Sequence, residues 1–477
     1  MLYSFSFNSI KKSYVICEVG KRRSAFAPIR RNFVSLPGLP GAHLESTDTE
    51  VRIIQQPIVI NGKDRLDVRK LEEDLADWLI TKDPVKLIFD DEPNRVYFAV
   101  IDGSLNIEDI ARFGKGVITF ICPDPYKYGS ELTFASQASL EEVNTLVMNN
   151  PGTRESYPVF TMIAKKPITH LDIIGPDGYM RIGRPVSVEE TVINPRESIL
   201  NDTMSTLVGW TTAHNVDGGV RTGSFQASSK GFSVSDYGTG TSWHGPSLQK
   251  SLSQQLENFE VEMYLTLHSL RNTEVGRVEL YLLDENGQHI GKVAMKDILT
   301  GDYSNQVEAR VGPLVTGTYI ASRTPANPND WLPFKGIIRI SRVEGRWLIY
   351  VANIATRHRG PLSGTYLESG DLKKLAAIQV HIGVSKDRLP SKMEIHYVKV
   401  NKRNVITDDN VPYIAQAGDE IIIDHRNDSI LVNGEEMQKL KGDFYASFFP
   451  IQSGDTALVI SPGDAVDIEG KVRGAYH

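Results

Sequence analysis

The residues of this chain best suited to chemistry lie in SDYGTGTSWHGPS, 235–247, where a tryptophan stands in a loop rich in glycine and serine. An indole in such a place offers a flat face to the C–H side of a pyranose ring, and neighbouring carboxylate, hydroxyl and imidazole groups can fix the sugar hydroxyls. Trp243 is therefore the candidate saccharide platform, with Asp236, Tyr237 and His244 near enough in sequence to complete a site. Trp331, in the loop PANPNDWLPF, is a second candidate, whereas Trp347 in the strand-like RWLIYVA reads as core. Hydrolysis of a glycoside would need two carboxylates about 5 Å apart on one face. Glu260 and Glu262 in FEVEMYL are spaced by two and point the same way, but the wet outer face of an antiparallel sheet accounts for both without catalysis.

Other chemistries find little support. Cys17 and Cys122 sit in apolar alternating runs and read as buried free thiols. The histidines do not group into a zinc motif, and neither a P-loop nor a nucleophile elbow occurs in a suitable context. Asp302 and Asp330 could serve a loop-bound ion, but loop aspartates are turn formers first, so no metal and no cofactor is expected. With a net charge of −7, the chain lacks the basic excess that grips a nucleic-acid backbone. Its N-terminus has no signal-peptide order, and no apolar run approaches the roughly 20 residues of a membrane span. A soluble, cytoplasmically made, non-enzymatic protein without membrane insertion is expected.

At 477 residues the chain predicts roughly three domains. Residues 1–156 alternate β-type runs (51–60, 85–91, 96–102, 116–122) with a single helix, whose Val68, Leu71, Leu75, Trp78 and Leu79 fall at helical spacing. The basic run Lys21, Arg22, Arg23 and the pair Arg30, Arg31 precede the LPGLPG turn at 36–41 and suit either a solvated loop or an arm reaching a neighbouring subunit. A second unit starts near Tyr157, with a hairpin turn at Pro176–Gly178, and then breaks off. Its continuation comes after residue 405, in DEIIIDHRNDSILVNGEEM and SFFPIQSGDTALVIS. Residues 187–404 are then an insertion, all β by alternation, with strands at 259–267, 277–287, 336–353, 377–384 and 393–400. Four of the five tryptophans fall inside it.

The run RKLEEDLADWLITKDPVKLIFDDEPNRVYFAVIDG, 69–103, with FGKGVITFICPDPYKYG, 113–129, resembles the N-terminal domain of siphophage distal tail proteins. The resemblance covers 1–186 and 405–477, and PDPYKYG at 123–129 is its most specific part. It implies an α+β ring domain (1–156) followed by a galectin-like β-sandwich (157–186 plus 405–477). The insertion (187–404) is similar in pattern to concanavalin-like jelly-rolls and carbohydrate-binding modules, although the ExDxxE of the related glucanases is absent. The resemblance further implies a virion tail-tip protein that forms a homo-hexameric ring. Its partners would be the tail tube protein and a tail-associated lysin or fibre hub. Host cell-wall polysaccharide is the expected ligand of the insertion; a purely structural insertion, or a hydrolase module, remain the alternatives.

Overall fold

The computed structural model describes residues 3–38, 40–110, 112–139, 141, 143–302, 304–356, 358–386, 388–442 and 445–477. Leu39, within the LPGLPG turn, lies outside the described residues. The chain divides into two compact units, Met1–Val192 with Tyr413–His477, and Ile193–Pro412.

The first unit opens with an antiparallel sheet in the order Phe5–Phe7, Val85–Phe89, Tyr97–Ile101, Phe113–Cys122, Arg52–Asn61, Val15–Cys17. Alternation in Arg52–Asn61 turns Ile54, Ile58 and Ile60 inward. The helix Arg65–Leu79 closes over them: Asp64 caps it by accepting from the Asp67 N–H, and Leu75, Trp78 and Leu79 are buried. The Trp78 indole donates to the Phe7 carbonyl at 3.0 Å and stacks on Phe5. Cys17 and Cys122 are both free, but only Cys122 is buried as expected, Cys17 being half-buried; desolvation pushes their thiols up to about 11 (Cys17) and about 12 (Cys122). A separate hairpin, Ile29–Val34 with His43–Thr49, is almost wholly exposed.

Two further sheets of this unit form a sandwich. One runs Lys127–Ser136, Val466–Tyr476, Val159–Ala164, Glu420–Asp424, Ser429–Val432, Glu435–Glu436, and the other Asn144–Asn150, Gly454–Ser461, His170–Ile174, Tyr179–Gly183. Val159 pairs with Asp424 on one side and Lys471 on the other. A central strand from before the insertion is therefore hydrogen-bonded on both edges by strands from after it. Asn433 and Gly434, both at positive φ, make the two-residue turn that joins Val432 to Glu435. The pairing corrects the expected bound of the N-terminal domain, 1–156, for its last part. Lys127–Ser136 pairs with Val466–Tyr476 and Asn144–Asn150 with Gly454–Ser461, while Leu146 and Met148 join the sandwich core. Their partners lie more than 300 residues away, beyond the reach of local pattern.

The second unit is two antiparallel sheets, mainly Phe259–His268, Phe334–Val343, Arg346–Asn353 and Lys392–Arg403 in one, and Ser247–Leu256, Gly276–Leu283, His289–Asp297, Asn305–Val311 and Leu375–Ser385 in the other. Their inner faces share one core containing Val261, Met263, Leu280, Val293, Ile338, Trp347, Val380 and Val398. The two ends of the unit meet: Arg196 is the register partner of Arg403, and the Asn404 amide donates to the Asn194 carbonyl at 2.8 Å. A guest fold with adjacent ends can interrupt a host loop without pulling it apart.

Two buried groups, one in each unit, titrate with opposite consequences for stability. In the first unit His425 lies among Phe160, Phe448 and Phe449, with Nδ1 accepting the Phe449 N–H at 2.8 Å; burial lowers its pKa from 6.5 to about 4. Stability from the neutral ring is complete above pH 6.5 and is lost as pH falls towards 4, by about 2 kcal/mol at pH 5. In the second unit burial raises Asp297 from 3.8 to about 6, against the opposing hydrogen bond from Ser269. The protonated acid stabilises below pH 3.8, and that contribution disappears as pH rises through 6. Urea unfolding from pH 4.5 to 7.5 should therefore show Asp297→Asn gaining on wild type in the second unit as pH rises; an offset independent of pH contradicts the assignment.

Candidate functional site

The short strand Trp243–Gly245 lies between Leu375–Ser385, to which it is antiparallel, and Gly219–Arg221, to which it is parallel. Close approach shapes this corner. A Cβ on Gly245, at φ +153°, would stand 2.1 Å from the Ile382 carbonyl oxygen, and one on Gly219 would press on the Trp243 carbonyl and on Arg277 Nη2. Strand alternation sends adjacent side chains to opposite faces. His244 is thus buried, with Nδ1 2.9 Å from the Ser242 carbonyl, while Trp243 stays partly exposed.

Trp243 lines a pocket of about 360 Å³ together with Val275, Arg277, Lys296, Ile298, Ser385, Lys386 and Arg388. The Arg277 guanidinium lies over the indole, 4.8 Å from a ring centroid, so the tryptophan serves as an apolar wall with one face covered by a cation. Arg277 is itself held from beneath by Glu279, 3.2 Å from its Nε. Glu279 is fully buried and accepts from the Tyr281 hydroxyl at 2.6 Å and from His381 Nδ1 at 2.7 Å, while Lys292 lies 2.7 Å from its other oxygen. Burial alone would raise the pKa of this carboxyl; the charges of Arg277 and Lys292 outweigh it and hold Glu279 well below the carboxylate range. Burial also lowers His381, which therefore donates to Glu279 as a neutral ring. Among the described residues neither Nε nor Nη2 of Arg277 has a hydrogen-bond partner, the contact of Nε with Glu279 being an ion pair only.

The other expected site residues disperse. Asp236 is exposed and accepts the Gly238 N–H in its own turn, and Tyr237 packs against the core. Neither lines the Trp243 pocket. Trp331, the second candidate platform, is 1 % exposed; it packs in the core and donates to His358 Nδ1, so it has no face to offer a sugar. The proline-rich loop concealed this, because a short 3-10 turn, Pro328–Trp331, folds the indole inward. Arg277, Lys386 and Arg388 escaped sequence reading altogether. Only the basic pair flanking residue 387, at the end of a strand, could have signalled them.

Glu260 and Glu262 are also corrected. Both are buried rather than wet. Glu260 is bound by Arg196, Arg403 and Asn401, and Glu262 by Arg339 and the Tyr397 hydroxyl. With their oxygens committed to fixed donors, neither is placed to protonate or attack a glycosidic bond. In the first unit, the PDPYKYG segment lines a cavity of about 590 Å³ with sandwich residues. Asp124 accepts from Tyr128 at 2.6 Å and pairs with Arg426, and Arg426 lies over Phe98 and Tyr128. This cluster fixes the turn by which the chain passes from the first sheet into the sandwich.

Residues 10–122 match the family of the phage tail protein RIFT-related domain. The distal tail protein of Bacillus phage SPP1 is 30 % identical over 145 residues, 30 % of this chain and 53 % of that protein, so the chain spans about half the length of the curated relative it matches. The crystal structure of SPP1 Dit, described as a hub of the adsorption apparatus in phages infecting Gram-positive bacteria, is similar with 19 % identity and a TM-score of 0.34, over 39 % of this chain and 75 % of that one. The CBM2 module of the evolved Dit of Lactobacillus casei BL23 phage J-1 is similar with 14 % identity and a TM-score of 0.39, over 45 % of this chain and all of that module. The match over residues 10–122 takes in most of the run at 69–129 from which the resemblance was read, so this part of the chain is of the phage tail protein RIFT-related type.

The pocket depends on the buried carboxylate below it. Glu279→Gln leaves Lys292 and Arg277 without their anion and should destabilise the second unit by about 3–5 kcal/mol in chemical denaturation. A loss below about 1 kcal/mol would show that Glu279 does not hold this corner together.

Proposed function

We propose that this chain is a siphophage distal tail protein that forms a ring through its N-terminal domain and carries, in its inserted sandwich, a binding site for host cell-wall saccharide. The ring joins the tail tube on one side to the tail-associated lysin or fibre hub on the other, at the virion tail tip. The observation that carries the reading is the Trp243 pocket: a partly exposed indole in a concave site on a guest sandwich, within a chain whose N-terminus is of the phage-tail type. Hexameric assembly would make weak sites sufficient, since linked copies convert later contacts into intramolecular ones and raise avidity by about 10²–10⁴. The carboxylate pair of the insertion is tied up in ion pairs, which favours binding over hydrolysis.

Ring formation finds support in the exposed hairpin. An isolated two-stranded hairpin is marginal in water. This one exposes Ile29, Phe33, Val34 and Leu44, with Phe33 and Leu44 paired across the strands. Such an arm is suited to lie against a neighbouring copy.

Two measurements test the reading. In sedimentation of the full chain with host cell walls, wild type should bind and Trp243→Ala should bind about tenfold more weakly, or about 1.4 kcal/mol. Equal binding by both would remove the pocket from the function. In native mass spectrometry, alone and with tail tube protein, wild type should give a hexamer and Phe33→Ser with Leu44→Ser a monomer of unchanged stability; a hexamer from the double variant would remove the hairpin from the ring.

A further inference from the structure

The pocket that holds Trp243 is chemically one-sided. Arg277, Lys296, Lys386 and Arg388 contribute only hydrogen-bond donors, and among the described lining residues none is acidic; the Ser385 hydroxyl is the single lining side chain that can also accept. A neutral sugar presents hydroxyls that donate as well as accept, and is served by a mixture of acceptors and donors. A pocket of donors suits a group that only accepts: a phosphate or a carboxylate.

Arg277 sharpens the point. Its side chain lines the pocket while only 7 % exposed, and among the described residues its Nε and Nη2 have no hydrogen-bond partner. A buried guanidinium with unmet donors is costly, and a nearby anion offsets part of that cost. The guanidinium is also held in place, with Glu279 at its Nε and the Trp243 ring against its face, so it is organised before any ligand arrives. Lys296 shares its charge with Glu308. Lys386 and Arg388 are exposed at the rim and have no carboxylate partner among the described residues. Lys386 sits at φ 54°, a left-handed conformation that asparagine tolerates well. Val275, Trp243 and Ile298 complete the wall with apolar surface fit for a carbon skeleton.

We infer that the ligand of this pocket is an anionic glycan, a saccharide or polyol chain bearing phosphodiester or carboxylate groups, whose anion is taken by Arg277 with Lys386 and Arg388 at the rim. The inference rests on the saccharide-binding reading above and narrows it to one chemical class.

The test uses the full chain and the double variant Lys386→Asn with Arg388→Gln, both exposed positions outside the core. Calorimetric titrations employ poly(glycerol phosphate), polygalacturonate and neutral dextran, beside sedimentation with host cell walls at 50 and 300 mM salt. The expected result is binding of at least one polyanion and no binding of dextran, with cell-wall binding that weakens as salt rises. The double variant should bind polyanion and walls about tenfold more weakly at an unchanged melting temperature. The two polyanion arms tell phosphodiester from carboxylate. Wall binding indifferent to salt and to the double variant would overturn the anionic ligand while leaving saccharide binding intact. Polyanion binding equal in wild type and variant would overturn the site. Absence of binding to walls and to every polymer would overturn the saccharide reading and this inference together.

Discussion

The structure depends on the backbone pairing of one short strand. Val159–Ala164 is central in its sheet, bonded to Glu420–Asp424 on one edge and Val466–Tyr476 on the other. Both partners lie beyond the whole of Ile193–Pro412 in sequence. Such a closure would be slow to form if the intervening chain were loose, but the entropy of closing a loop grows only with the logarithm of its length. Here the intervening unit also has its ends tied by the pairing of Arg196–Asp202 with Lys392–Arg403. The host sandwich therefore meets a folded guest with adjacent ends in place of a long loop, and each fold keeps a core of its own.

The same logic of buried compensation recurs in the guest. Its outward-facing strand positions hold carboxylates and cations that neutralise one another: Glu260 with Arg196 and Arg403, Glu262 with Arg339, and Glu279 with Arg277 and Lys292. Buried ion pairs are weak sources of stability but strong constraints on geometry, because loss of either partner strands a charge in low dielectric. On the first sheet these constraints occupy the carboxylates. On the second they fix Arg277 against Trp243 and so shape the pocket.

How much of this was legible in the sequence follows from the range of the forces involved. The helix Arg65–Leu79 and the hairpin turn at Pro176–Gly178, between Ile174 and Tyr179, are set by periodicity and by local turn chemistry, and they read directly. The mainly β class and the interrupted sandwich were legible because alternation and the resemblance pointed the same way. Membership of Lys127–Ser136 and Asn144–Asn150 in the sandwich was not, since only remote pairing decides it. Trp243 stood out through its glycine-rich loop, whereas Trp331 misled because a polar loop can still turn an indole inward. Arg277 was invisible: in an alternating strand an arginine reads as solvent-facing, and nothing local records that Glu279, two residues on, is buried beneath it.

The central claim is that the guest sandwich meets the host surface through the Trp243 pocket. Hydrogen–deuterium exchange of the full chain, with and without solubilised host cell-wall fragments, addresses it most directly. Slower exchange confined to the backbone around 219–221, 243–245, 275–277 and 385–388 is the result the account predicts. Protection centred on the Glu260 and Glu262 sheet, or none anywhere in Ile193–Pro412, would contradict it.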